Sequence, residues 1–176
     1  KANDASPIIE ALAEAGITKF DVASSVEIAR MAAVPNAELY FMNPVKSRVS
    51  IRTAFDESGV RSFAFDSEDE LDKILEETGR ARDLALYLRI ACPNTHSLIP
   101  LEGKFGVPMA EAPALLLRGR QVAKRLGITF HIGSQAVVPA AFGEALRQVG
   151  QLIVTSGVLV DAIAKQLPMR MLGRLL

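Results

Sequence analysis

The chain has 176 residues, 49% hydrophobic and 23% charged, a balance that suits a packed core and excludes a disordered polypeptide. Its 20 Lys and Arg cancel its 20 Asp and Glu, which leaves no electrostatic case for a nucleic-acid or anionic-membrane partner. The one cysteine, Cys92, rules out an internal disulfide framework and suits a reducing cytoplasm, and no apolar run is long enough to span a bilayer.

Helical and strand signals alternate from the start. Ser6-Pro7 predicts a helix that runs through Ile8, Leu12 and Ala15 and stops at Gly16, the pattern of N-cap, N1 proline and C′ glycine. Thr18 to Val22 reads as a short strand, and Ser24-x-x-Glu27 as a capping box opening the next helix. Leu39 to Met42 is the second strand, followed by a helix from about Val45 to Ser58 that closes at Gly59.

Val60 to Phe65 is again strand-like, and Ser67-x-x-Glu70 is a second capping box, for a helix ending near Gly79. In both boxes the glutamate reads as a cap rather than as an acid. Leu84 to Ile90 is almost uninterrupted apolar sequence, as expected of a strand buried on both faces. A loop rich in Pro, Asn and Gly, Cys92 to Val107, leads to a helix that ends at Gly127. Ile128 to Ile132 is a further strand, Pro139 to Gly157 a helix, and Val158 to Ile163 the beginning of one more strand.

This order implies parallel strands joined by right-handed helical crossovers, an α/β fold. A doubly wound sheet and an unfinished (β/α)8 barrel both accommodate it, and periodicity does not choose between them. No repeat, low-complexity tract or linker divides the chain.

Six polar residues, Lys1, Asp21, Asn43, Asp66, Arg89 and His131, fall at the ends of expected strands. In parallel α/β folds those carboxyl ends form the site face. Each also has a plainer reading. A lysine there is ordinarily a solvated charge, and Asp21 and Asp66 serve equally well as the polar start of a loop. Arg89 closes a strongly apolar strand, so its guanidinium needs either a structural ion pair or a ligand. His131 precedes Gly133-Ser134, a small pair that lets backbone approach a ligand and lets Ser134 donate to a phosphate; the alternative is a satisfied core histidine. His96 reads as a loop residue. Two histidines and one cysteine give no metal-ligand spacing, and neither a P-loop nor a Gly-x-Ser-x-Gly elbow is present.

Seven segments stand out in order: Lys1-Ala2-Asn3, Phe20-Asp21-Val22-Ala23-Ser24, Phe41-Met42-Asn43-Pro44-Val45-Lys46, Phe65-Asp66-Ser67-Glu68, Leu88-Arg89-Ile90, Lys104-Phe105-Gly106 and Phe130-His131-Ile132-Gly133-Ser134. Taken together they resemble the ornithine/diaminopimelate/arginine decarboxylase family of the alanine-racemase-like class, which uses pyridoxal 5′-phosphate (PLP). Asn-Pro-Val-Lys and Phe-Asp-x-Ala-Ser are closer to ornithine decarboxylases, whereas His-Ile-Gly-Ser-Gln is common in the diaminopimelate branch. The resemblance implies a partial (β/α)8 TIM-type barrel with Lys1 at the end of its first strand. It implies that Lys1 holds PLP as an imine, that His131 stacks on the cofactor ring, and that Ser134 binds its phosphate. Asp21, Glu27 and Arg89 line the pocket on the same basis. The implied substrate is a small amino acid, ornithine giving putrescine, with lysine or diaminopimelate as alternatives; a PLP racemase and a non-catalytic degenerate homologue are the competing readings.

The resemblance covers residues 1–163, and residues 164–176 form a divergent tail. The family continues there with a glycine-rich phosphate loop, its last strands, an acidic partner for the pyridine nitrogen, and a C-terminal domain that completes a homodimer. Beginning on lysine and lacking those parts, the chain is expected to be a fragment that decarboxylates little or nothing by itself.

Overall fold

A computed structural model describes residues 5–92, 97–99, 103–136 and 138–165. The elements in chain order are α1 (Ser6–Glu14), β1 (Lys19–Val22), α2 (Ser25–Ala32), β2 (Glu38–Phe41), α3 (Arg48–Asp56), β3 (Ser62–Phe65), α4 (Glu68–Glu77), β4 (Ala85–Ile90), β5 (Ser97–Ile99), α5 (Ala112–Val122), β6 (Arg125–Phe130), β7 (Ser134–Ala136), α6 (Ala140–Ser156) and β8 (Ala162–Lys165). Lys1, His96 and the tail from 166 lie outside the described residues.

Six strands form one sheet in the order β1-β2-β3-β4-β6-β8, every neighbouring pair parallel. A doubly wound sheet reverses its strand order at a switch point. Here the order rises without reversal, which is the progression of a barrel. A side-chain contact shows the curvature. Strands β2 and β6 are separated by β3 and β4, so a flat sheet puts them roughly 14 Å apart at the usual strand spacing. Yet Arg125 Nη2 on β6 comes within 3.3 Å of Glu38 Oε1 on β2. The sheet is half of a barrel, and that pair crosses its concave side.

The two-residue period of a strand sorts the side chains. Leu39 and Phe41, Phe63 and Phe65, Leu86, Leu88 and Ile90, and Leu126, Ile128 and Phe130 face the helices and form the main core with Ile28, Ile51, Leu71, Ile74 and Leu116. The opposite positions build the barrel interior, where Met42, Ala64, Ala85 and Tyr87 cluster with Tyr40 and Ala162. Arg89 shares the interior face with Tyr87, two residues before it. Gly127 belongs here too: a Cβ would sit 2.5 Å from the Tyr87 ring and 3.1 Å from the Ala162 carbonyl.

Several local expectations change. Gly127 does not end a helix; α5 stops at Val122 and β6 begins at Arg125, because the glycine's bareness serves packing inside a strand. Ser6 lies inside α1, whose N-cap is Ala5, although Gly16 closes it as expected with φ +80°. The stretch from Cys92 to Val107 is not all loop, since β5 pairs antiparallel with β7 in a small second sheet. The last strand begins at Ala162 rather than near Val158.

Candidate active site

The carboxyl ends of the parallel strands gather the residues singled out in the sequence. Asp21 is the penultimate residue of β1 and Arg89 of β4; Asp66 follows β3 directly and His131 follows β6. Curvature brings Asp21, Asp66 and Arg89 toward one another. Arg89 feels the charges of both Asp66 and Asp21, although β2 and β3 lie between its strand and that of Asp21. Burial lowers the guanidinium below its ordinary affinity for a proton, and the two carboxylates oppose that shift. Arg89 is only 7% exposed. Among the described residues it closes no ion pair with a carboxylate; its guanidinium stands over the Phe105 ring, 5.2 Å from guanidinium carbon to ring centroid. A buried cation without a closed pair is costly unless an anion arrives. The ligand alternative for Arg89 is the one this geometry favours.

His131 is half-buried, and its Nδ1 accepts the Gly133 N–H at 3.0 Å. A backbone amide only donates, so the ring is held with its Nδ1 lone pair engaged and its proton on Nε2. That turn needs Gly133, whose φ is +91°. The Ser134 main chain pairs with Ile99 through β7 and β5.

Glu27 acts as a cap, with one change from expectation. Ser24 Oγ accepts the Glu27 N–H at 3.2 Å, but the Glu27 carboxylate returns to the Ala23 N–H at 2.6 Å, one residue ahead of the N-cap. It thereby fixes the chain leaving β1, two residues beyond Asp21. Asn43 turns back on its own loop, donating to the Val45 carbonyl at 2.7 Å.

Glu70 departs from its expected role. Ser67 Oγ caps the Glu70 N–H at 3.2 Å, but the carboxylate does not complete the box. It pairs at 2.9 Å with Lys46, whose side chain is wholly buried, and with Lys73 at 2.5 Å. Lys46 Nζ also donates to the Asn43 carbonyl at 2.9 Å and the Ala64 carbonyl at 2.5 Å. Burial pushes the Lys46 amine down to about 8, against the pull of Glu70. One amine therefore joins the loop after β2, the end of β3 and the start of α4, beneath the rim that carries Asp66. Sequence reasoning missed this pair; its signal was a lysine in an otherwise apolar turn, Pro44-Val45-Lys46. Cys92 is buried and its thiol is pushed up to about 11, chiefly by burial, which makes it an inert core residue.

Comparison with known proteins supplies the family. Residues 1–162 match the model of the pyridoxal-dependent decarboxylases, pyridoxal binding domain. The chain belongs to that family. A lysine/ornithine decarboxylase of Selenomonas ruminantium is 38% identical over 149 residues, covering 83% of this chain and 37% of the relative. An ornithine decarboxylase of Mus pahari is 35% identical over 149 residues, with 83% and 31% covered. Among solved structures, an SrLDC mutant in complex with PLP superposes with a TM-score of 0.78 at 31% identity, over 91% of this chain and 43% of that one. An alanine racemase of Clostridium difficile, at 10% identity and a TM-score of 0.66 over 90% of this chain and 43% of that one, shares the fold. The chain thus spans less than half the length of these relatives, and it is a partial alanine-racemase-like barrel.

Pyridoxal phosphate is the cofactor of this domain, and the described residues fit it. The cofactor is anionic and flat. The barrel end offers a buried guanidinium that closes no ion pair among the described residues and an imidazole oriented by the Gly133 N–H. Among the described residues no group of His, Cys, Asp and Glu is arranged to hold a metal ion. None of their helices is long and apolar enough to cross a membrane.

Proposed function

We propose that the chain is the cofactor-binding part of a PLP-dependent decarboxylase acting on a small basic amino acid, with ornithine, giving putrescine, the preferred substrate. The observation that carries this is Arg89, a buried cation at the carboxyl end of β4 that closes no carboxylate pair among the described residues, within a family whose cofactor is an anion. Bound there, PLP supplies the electron sink that lets an amino acid lose its carboxylate as CO2.

The chain's own residues divide the remaining work. Lys1 anchors the cofactor through its side-chain amine, and Ser134 donates to its phosphate. His131, its Nδ1 held by the Gly133 N–H, would present its ring to the cofactor. Arg89 would balance the anionic charge, and Asp21, whose carboxylate charge reaches Arg89, would line the pocket. Glu27 keeps the chain after β1 in place. The relatives' names support ornithine and lysine alike; Asn43-Pro44-Val45-Lys46 and Phe20-Asp21-Val22-Ala23-Ser24 favour ornithine. A homodimer, completed by parts the family carries elsewhere in its chain, belongs to the same reading.

Titrating the purified chain with PLP tests the reading. Wild type should develop an imine absorbance band that Lys1→Ala lacks. Adding ornithine should perturb that band at lower concentration than lysine or diaminopimelate does. No band refutes the cofactor assignment; a band answering first to diaminopimelate refutes the substrate.

A further inference from the structure

Beyond the end of β3 the sheet does not stop at that position. Phe65 is the last residue of β3 and pairs with Leu88, leaving the final residues of β4 without a β3 neighbour. Val107 takes the vacated place. Its N–H donates to the Arg89 carbonyl at 2.9 Å and its carbonyl accepts the Ala91 N–H at 3.0 Å, a parallel bridge opposite Ile90. The two bonds bracket Ile90, and the first of them fixes the Arg89 carbonyl. Immediately before Val107, the Gly106 N–H donates to Asp66 Oδ2 at 2.8 Å, forty residues away in sequence. Immediately before that, the Phe105 ring stands over the Arg89 guanidinium.

Gly106 makes this seating possible. With φ +100°, a Cβ there would lie 2.6 Å from the Ala91 nitrogen and 2.7 Å from the Ile90 carbonyl carbon. The segment lies flat on the 90–91 peptide, and nothing with a side chain can replace it.

We propose that Asp66 is a positioning residue for Arg89: by fastening the Gly106 N–H it holds residues 105–107 as a strap that sets where the guanidinium points. The carboxylate acts through hydrogen bonding to the strap rather than by pairing with the cation, because no ion pair between Asp66 and Arg89 is closed. The inference deepens the proposed PLP site and rests on it for the binding readout alone.

Three forms distinguish the roles: wild type, Asp66→Ala, which removes the acceptor, and Asp66→Asn, which keeps a side-chain oxygen but not the charge. Amide hydrogen exchange is followed at Gly106 and Val107, the Arg89 Nε–H resonance by NMR, and PLP affinity by absorbance titration. Losing one hydrogen bond of ordinary strength corresponds to about a tenfold change. Asp66→Ala should speed Gly106 exchange and weaken PLP binding by about that factor, and shift the Arg89 resonance, while β3 and β4 amides stay protected. Asp66→Asn should stay close to wild type. Unchanged Gly106 exchange in Asp66→Ala, unchanged PLP affinity despite faster exchange, or equal damage from Asp66→Asn each overturns the proposal. Should Asp66→Ala unfold, Phe105→Leu decides: it should shift the Arg89 resonance with Gly106 exchange intact, and no shift overturns the strap. Failure of the wild type to bind PLP sinks the proposed function, while exchange and the Arg89 resonance still judge the strap.

Discussion

Replacing Lys46 with methionine removes one amine and strands two carbonyls. Among the described residues the Glu70 carboxylate, 4% exposed, keeps Lys73 as its ionic partner and loses Lys46, and the Asn43 and Ala64 carbonyls lose a donor. Breaking a buried ion pair outright costs about 3–5 kcal/mol, and because Lys73 still compensates Glu70 the loss should fall at the low end, about 3 kcal/mol. At about 2–4 °C per kcal/mol for a chain of this size, Lys46→Met should lower Tm by roughly 6–12 °C. Adding Glu70→Leu removes the half-compensated charge, so the double variant should recover about 1 kcal/mol. What remains lost belongs to the two carbonyls, at about 1 kcal/mol each. Urea denaturation of the four forms, with equal m-values, measures the cycle. Additive losses, with no recovery in the double variant, refute the claim that Lys46 and Glu70 are energetically one unit.

The same amine predicts a pH effect. Its pKa falls from 10.5 to about 8 on folding, so between those values the unfolded chain binds more protons and stability rises with pH. Wild type should gain stability across that window relative to Lys46→Met, as followed by urea midpoints at each pH. Arg89→Met should leave stability within about 1 kcal/mol of wild type, since no ion pair closed among the described residues is broken, yet lose PLP affinity; a large loss of stability with unchanged PLP binding would mean a structural role. Gly127→Ala drives a methyl into the Tyr87 ring and should cost about 1–3 kcal/mol, with a changed near-ultraviolet tyrosine signal. Ser24→Ala, removing the oxygen that caps α2, should cost about 1 kcal/mol in the same denaturation assay.

Much of the architecture was readable along the chain because parallel strands and their helices carry strong local signals. Leu84 to Ile90 is a nearly pure apolar run, and Ser24 and Ser67 cap their helices by local hydrogen bonds. The choice of barrel over doubly wound sheet was not readable, since strand order is a long-range property; the Glu38–Arg125 contact spans 87 positions. Gly127 misled because glycine ends helices and also makes room for a ring, and only the Tyr87 neighbour separates the two. At the site, strand-end positions marked Asp21, Asp66, Arg89 and His131. The partners that give them meaning come from afar in sequence: Gly106 for Asp66, Phe105 for Arg89. Glu70 was misread for the same reason. Its local capping pattern is complete, but Lys46 lies 24 positions upstream and outbids the cap for its carboxylate. β5 and β7 escaped notice because three-residue strands carry no period to detect.

The most direct test is chemical. PLP-loaded chain is reduced with borohydride, digested, and the modified peptide fragmented to separate side-chain from terminal amines. The cofactor should be found on Nζ of Lys1, with labelling weakened in Arg89→Met and abolished in Lys1→Ala. Stable labelling confined to another lysine, or none at saturating PLP, would contradict the assignment of this barrel end as a pyridoxal site.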